Sequence, residues 1–195
     1  EMKHRIKNHI ARIQSIARQS ARGATDVRAF TEAFDARLQA MASVQEILAG
    51  NASPQTDISA ILRKELQQCL DTTEVEHLMT GPVVRLDERQ AHAFALVTHE
   101  LVTNAMKYGG LAEGGAGLKV TWTVERSADG PAVVSIVWTE QLASDAEVDP
   151  AETAAGFGSR LIDASLKGEL SGSIWRDFRP GGLKVLLRFP VRPDI

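Results

Sequence analysis

His99-Glu100-Leu101-Val102-Thr103-Asn104-Ala105-Met106-Lys107-Tyr108-Gly109 is the stretch whose reading decides the fold. Leu101, Ala105 and Tyr108 recur at four- and three-residue steps, the spacing of a buried helix face. Glu100, Asn104 and Lys107 recur at the same steps on another face. That second face lines up an acid, an amide and a cation. An amide oxygen can bind a hard Mg²⁺ ion, a lysine can meet a phosphate, and a carboxylate can order or deprotonate a water. Gly109-Gly110 ends the helix, as glycine does just past a helix terminus. On spacing alone a surface helix with one Glu–Lys pair fits equally well.

Working outward, residues 88–108 read as the central helix. Leu118 to Val124 alternates, with Val120, Trp122 and Val124 on one face of a strand. Asp129-Gly130 is a turn before a second strand at 133–138. Gln141 to Ala155 has no periodicity and reads as a long loop. A helix is expected over 158–167, then strands at 173–178 and 183–190 around Pro180-Gly181-Gly182. Upstream, 58–70 reads as a helix, and 74–86 as two short strands broken by Gly81-Pro82. Asn51 to Asp57 is polar, contains a proline and reads as a linker. Helices separated by hairpin-like strand pairs predict a mixed or antiparallel sheet with helices on one face, not regular βαβ alternation.

Two helices precede the linker. Residues 1–22 carry Ile6, Ile10, Ile13 and Ala17 as an apolar stripe, with His4, Asn8, Ala11 and Ser15 turned away from it. Residues 27–49 place Phe30, Phe34, Leu38, Met41, Gln45 and Leu48 near one face. The pair forms an αα-hairpin, too small to bury a core alone, so two copies are expected to pair as a four-helix bundle.

The 195 residues are 44% hydrophobic, enough for a buried core. The net charge of −3 argues against a nucleic-acid binder. The first helix is locally basic, with Lys3, Arg5, Lys7, Arg12, Arg18 and Arg22 against Glu1. Without interleaved aromatics, that favours an acidic protein surface as partner. The single cysteine, Cys69, excludes an internal disulfide, reads as a buried small apolar residue and fits a cytoplasmic location. No apolar run is long enough to span a membrane, and no signal peptide is visible. A chain beginning at Glu1 is expected to be a fragment. A zinc site is not expected, because His92 and His99 share a helix face but no further Cys or His completes a set.

His99 to Gly109 resembles the asparagine box of the GHKL ATP-binding fold, and more narrowly that of the HWE-type histidine kinases. Glu1-Met2-Lys3-His4-Arg5-Ile6-Lys7-Asn8 resembles their phosphoacceptor box, with its His-Arg-x-Lys-Asn core. Trp138-Thr139-Glu140 resembles the name-giving Trp-x-Glu. Gly156-Phe157-Gly158-Ser159-Arg160-Leu161-Ile162 resembles the glycine segment, where backbone N–H groups at a helix start can meet phosphate. The resemblance implies a phosphoacceptor hairpin over 1–52 and a GHKL α/β sandwich over 53–195. It implies ATP and Mg²⁺, with Asn104 as the metal ligand. His99, Asn104, Lys107, Tyr108, Glu140, Gly156, Gly158, Ser159 and Arg160 would hold the nucleotide, Glu140 at the adenine. His4, Asn8 and Glu100 would carry the chemistry. His4 suits a phosphoacceptor because an imidazole is a good nucleophile near neutral pH. His9 lies outside the motif core. The implied partner is a response-regulator receiver domain.

One segment departs from the family. A glycine pair and a proline usually follow Trp-x-Glu; here Gln141-Leu142-Ala143-Ser144 stand there. Asp145, Glu147, Asp149 and Glu152 then form an acidic loop with no Lys or Arg. An acidic lid repels triphosphate unless a metal intervenes. Two alternatives stay open on the sequence: a phosphotransfer or scaffold protein that uses His4 without ATP, and a GHKL ATPase or protein-serine kinase in which His4 is incidental.

Overall fold

The computed structural model describes residues 2–50, 55–112, 115–126, 130–142, 157–179 and 181–191. Within these, the side chains of residues 2–5, 8, 115, 116 and 157 are also outside the description. The elements run α1 (Met2–Gly23), α2 (Val27–Ala49), β1 (Gln55–Asp57), α3 (Ile58–Leu66), α4 (Thr72–Leu78), β2 (Met79–Thr80), β3 (Arg85–Asp87), α5 (Glu88–Tyr108), β4 (Gly115–Glu125), β5 (Ala132–Leu142), α6 (Phe157–Gly168), β6 (Ser173–Arg179) and β7 (Gly182–Val191).

Aspartates start many of the helices. Asp26, Asp57, Asp71 and Asp87 each accept a hydrogen bond from a backbone N–H of the first turn of α2, α3, α4 and α5. Such a cap is worth about 1 kcal/mol over alanine. Asp57 also accepts from the Val84 N–H at 2.9 Å, which fastens α3 beside β3.

The main sheet has five strands in the order β2-β4-β5-β7-β6, with β2 parallel to β4 and the other pairs antiparallel. A separate two-stranded pair joins β1 to β3. Alternate residues of β5 (Ala132, Val134, Ile136, Trp138) and β7 (Val185, Leu187, Phe189, Val191) are buried on one face. They form a common core with Ala91, Phe94, Ala95, Leu101 and Ala105 of α5 and Ile162 and Leu166 of α6. The result is a helical hairpin followed by a GHKL-like α/β sandwich.

Several expectations need correction. Residues 72–78 are helical, not a strand, because Asp71 and Glu74 form a reciprocal capping box. Residues 55–57 are not linker: they pair with β3, and Thr56 is buried there. Residues 51–54 lie outside the described residues. Helix α3 ends at Leu66 rather than continuing to residue 70. Cys69 is half-buried at the core's edge, its thiol donating to the Leu66 carbonyl. Gln141 and Leu142 are not loop but the end of β5: Gln141 pairs with Gly117 of β4 and Gly182 of β7, and Leu142 pairs with Gly115 across a register shift in β4.

The hairpin also packs by a different face. Ile6, Ile10 and Ile13 are exposed, whereas Ile16 and Ser20 are buried. Ile16, Met41 and Leu96 form a small core flanked by Phe34, and Val44 joins the main core. The hairpin therefore finds its missing core partner in α5 of the same chain.

Tyr108 is the remaining correction. Leu101 and Ala105 are buried as expected, but Tyr108 is 69% exposed. It is the last residue of α5, in an exposed final turn with Met106 and Lys107.

Candidate active site

Helix α5 carries Glu100 and Asn104 one turn apart, and α6 brings its first turn onto them. A Cβ built on Gly158 would lie 2.7 Å from Glu100 Oε2, 3.5 Å from the Asn104 amide nitrogen and 3.6 Å from its oxygen. Only glycine lets the α6 backbone come this close without displacing the carboxylate. Ser159 is buried beside it, while Arg160 is exposed. Lys107 lies exposed one turn beyond Asn104. Gly156 and the acidic segment with Asp145, Glu147, Asp149 and Glu152 lie outside the described residues. So do the side chains of His4 and Asn8, whose backbone is within α1.

Glu100 is 5% exposed and Arg37 equally so. Arg37, from α2, donates through Nε to Glu100 Oε1 at 2.8 Å, and its Nη2 lies 2.8 Å from the same oxygen. Its Nη1 donates to Ser20 Oγ of α1 at 2.9 Å. One guanidinium thus joins both hairpin helices to the acid of the central helix. Arg37 is a residue the sequence reading missed. Its signal was its position among Phe34, Met41 and Val44 on the hairpin's inward face, where a charge needs a partner.

The arrangement suits a magnesium-bound triphosphate on chemical grounds. Asn104 offers an amide oxygen, Lys107 an exposed cation, and the α6 start backbone N–H groups beside a glycine packed against Glu100.

The HWE histidine kinase family model matches residues 1–83. A blue-light-activated histidine kinase of Brucella anthropi is 33% identical over 196 residues, covering 100% of this chain and 39% of the relative. Blue-light-activated histidine kinase 1 of Erythrobacter litoralis is 32% identical over 194 residues, covering 98% of this chain and 52% of the relative. Over residues 1–83 the chain matches the HWE histidine kinases, and over its whole length it is similar to blue-light-activated histidine kinases. It spans roughly two fifths to one half of the length of these relatives. The fold also matches the solved histidine kinase domain of an Erythrobacter litoralis blue-light activated histidine kinase. The TM-score is 0.58 at 14% identity, over 93% of this chain and 94% of that one.

The name-giving residues of the HWE family have definite places here. His99 Nδ1 lies 3.0 Å from Glu65 Oε2 of α3. At about 100° per residue, His99 points well away from the Asn104 face. It ties α5 to α3, apart from the Glu100–Asn104–Gly158 convergence.

Glu140 is 3% exposed. Its Oε1 accepts from the Trp138 indole N–H at 2.7 Å, and its Oε2 from the Gly110 N–H at 3.0 Å. The Trp-x-Glu pair thereby fastens β5 to the chain leaving α5. This also explains the double glycine. Gly109 has φ −122°, extended backbone and not a left-handed cap, so it is not there for conformational freedom. A Cβ on it would lie 1.7 Å from Glu140 Oε2, and one on Gly110 would lie 2.2 Å from the Gly117 carbonyl oxygen. The glycines provide space for the carboxylate and for β4.

Burial pushes the Glu140 carboxyl above its ordinary value, against the opposing pull of the Trp138 and Gly110 donors. A raised folded value contributes stability that is complete below the unfolded pKa of 4.5 and lost as pH rises through the folded one. Glu140→Gln is expected to abolish that part of the pH slope. It should also cost about 1–3 kcal/mol throughout, because the amide NH₂ cannot accept from the second N–H donor. Urea melts of both proteins from pH 4.5 to pH 7 check this; parallel curves of equal slope contradict it.

Proposed function

We propose that this chain is the kinase core of a two-component sensor. It takes the γ-phosphoryl group of ATP onto His4 and passes it to an aspartate of a response-regulator receiver domain. The observation that carries this reading is the convergence of the Gly158 backbone on Glu100 and Asn104. Asn104 holds Mg²⁺ through its amide oxygen, Lys107 and Arg160 face the phosphates, and Ser159 and Gly156 contribute to binding them. Gly109-Gly110, positioned by Glu140, and Tyr108 border the base side of the pocket. Magnesium supplies charge neutralisation; the protein's own part is positioning, because phosphoryl transfer asks for little else. Asn8, one turn along the sequence from His4, orients a water or a phosphoryl oxygen.

Exposed Lys7, Arg18 and Arg22 keep α1 basic on its outer side, which suits the acidic pocket of a receiver domain. Among the described residues no helix is long and apolar enough to cross a membrane. A cytoplasmic location is the setting in which such a partner is met.

The experiment is incubation of the chain with labelled ATP and Mg²⁺ beside a His4→Gln variant. Acid-labile, alkali-stable label on the parent and none on the variant is the expected result. Label gained from a phosphorylated receiver but never from ATP overturns it in favour of a carrier. ATP turnover without label overturns it in favour of an ATPase.

The exposed row Ile6, Ile10 and Ile13 supports a homodimer through α1. Sedimentation is expected to show a dimer that Ile10→Glu converts to monomer. A parent protein that stays monomeric at tens of micromolar contradicts the pairing.

A further inference from the structure

A second cluster of chemical groups lies outside the nucleotide site, where α1 crosses the start of α5. His9 of α1, Glu88 of the first turn of α5 and His92 one turn later each offer a ligand atom, all within 4.8 Å of one another. His9 Nε2 is 3.2 Å from Glu88 Oε1. We propose that His9, Glu88 and His92 form a site for a divalent transition-metal ion, Zn²⁺ by preference, that joins α1 to α5.

The donor set is two imidazoles and one carboxylate, which suits zinc with water in a fourth, open position. Bonds of about 2.0–2.1 Å at tetrahedral angles put donor atoms about 3.4 Å apart. The His9–Glu88 pair already has that spacing. The widest separation closes by a small rotamer adjustment of the half-exposed His9 or Glu88.

His92 supplies the independent observation. It is 1% exposed, and its Nδ1 has no hydrogen-bond partner, a cost that proteins rarely carry without reason. Its other nitrogen meets the Gln45 amide of α2 at 2.7 Å, which fixes the ring. For the ion to bind, the Gln45 amide turns so that its oxygen accepts from Nε2–H, which leaves the Nδ1 lone pair free to ligate. Burial, with the Arg12 guanidinium nearby, lowers His92 to about 4, so the ring is neutral at pH 7 and its lone pair needs no deprotonation. Glu88 is held below its ordinary value: burial opposes this, but the hydrogen bonds from His9 and Gln45 outweigh it. Arg12 is the cation that faces the cluster and works against a divalent ion. It lies 3.6 Å from Glu169, which offsets its charge. Zinc was not expected because His92 was paired with His99 along the helix; the second histidine comes instead from α1, across the fold.

An ion here would tie the helix that carries His4 to the helix that carries the asparagine box. The test does not depend on phosphotransfer, because its readout is the metal alone. Chelator-stripped chain is titrated with Zn²⁺ against a chromophoric competitor, and with Co²⁺ followed by visible absorption. The expected result is one equivalent bound, the visible band of a low-coordinate cobalt site, and a rise in melting temperature. Both His9→Ala and Glu88→Gln, chosen because these residues are not deeply buried, should lose at least about tenfold in affinity while keeping the parent's circular dichroism. Millimolar Mg²⁺ should not displace the ion. No uptake by the parent at micromolar Zn²⁺, displacement by Mg²⁺, or equal uptake by both variants would overturn the site.

Discussion

Arg37→Met is expected to lower the unfolding free energy by about 3–5 kcal/mol, the cost of stranding a buried carboxylate without its partner. The Arg37–Glu100 pair is almost fully buried, and the guanidinium is bonded at Ser20 as well as at Glu100. Removing the cation leaves Glu100 charged in an apolar setting. Removing both charges relieves the problem, so Arg37→Met with Glu100→Leu should recover most of the loss. Buried ion pairs replaced whole by apolar residues are often neutral in stability. Urea denaturation of both single variants and the double variant gives the coupling energy directly. A loss below about 1 kcal/mol for Arg37→Met would show an exposed and solvated pair, as surface pairs are. The consequence for function follows from the same contact. In the proposed site Glu100 belongs to the chemistry, yet its charge is held by Arg37 of the helical hairpin. Any movement of the hairpin that withdraws Arg37 changes the charge of the site at the same moment that it moves His4.

Asn104→Ala and Gly158→Ala are each expected to reduce ATP-dependent labelling at least about 100-fold, the scale seen when one preorganised electrostatic contact is removed. The two changes act on opposite sides of the contact between α5 and α6. Asn104→Ala removes the amide that would bind Mg²⁺, leaving packing almost unchanged because the residue is only half-buried. Gly158→Ala places a methyl group 2.7 Å from Glu100 Oε2, so the first turn of α6 must retreat. Rates from single-turnover labelling, with circular dichroism to verify folding, test both. Labelling within threefold of the parent for either variant would remove that residue from the site.

How much of this was legible in the sequence depended on the kind of signal. Helix α5 could be read to its end because Gly109-Gly110 marks the stop, although residues 91–98 are buried on every side and Tyr108 leaves the apolar face. Strand β4 announced itself by alternation, and β5 and β7 bury one face in the same period-two pattern. Helix α4 was missed although Asp71 and Glu74 spell a capping box, because one short helix shows too few turns for a periodic pattern. The inward face of α1 was misjudged for a different reason. The isoleucines mark the most apolar stripe, but the chain uses Ile16 and Ser20 against its own α5.

At the site, Glu100, Asn104 and Gly158 were singled out by their resemblance to family motifs, since spacing alone left a surface helix equally open; their convergence is a matter of tertiary packing. Arg37 and the His9–Glu88–His92 cluster involve partners far apart in the chain, which no local spacing reports. Glu140 shows the limit most clearly. Its position after Trp138 suggested a ligand contact, whereas its carboxylate accepts from Trp138 and Gly110 within the protein.

The most direct test of the whole account is titration calorimetry of the chain with a magnesium-loaded, non-hydrolysable ATP analogue, beside Asn104→Ala. The account predicts saturable heat from the parent at one site per chain and none from the variant. A parent protein that gives no heat up to millimolar analogue would contradict it, and His4 would then be a carrier's histidine, charged by another enzyme.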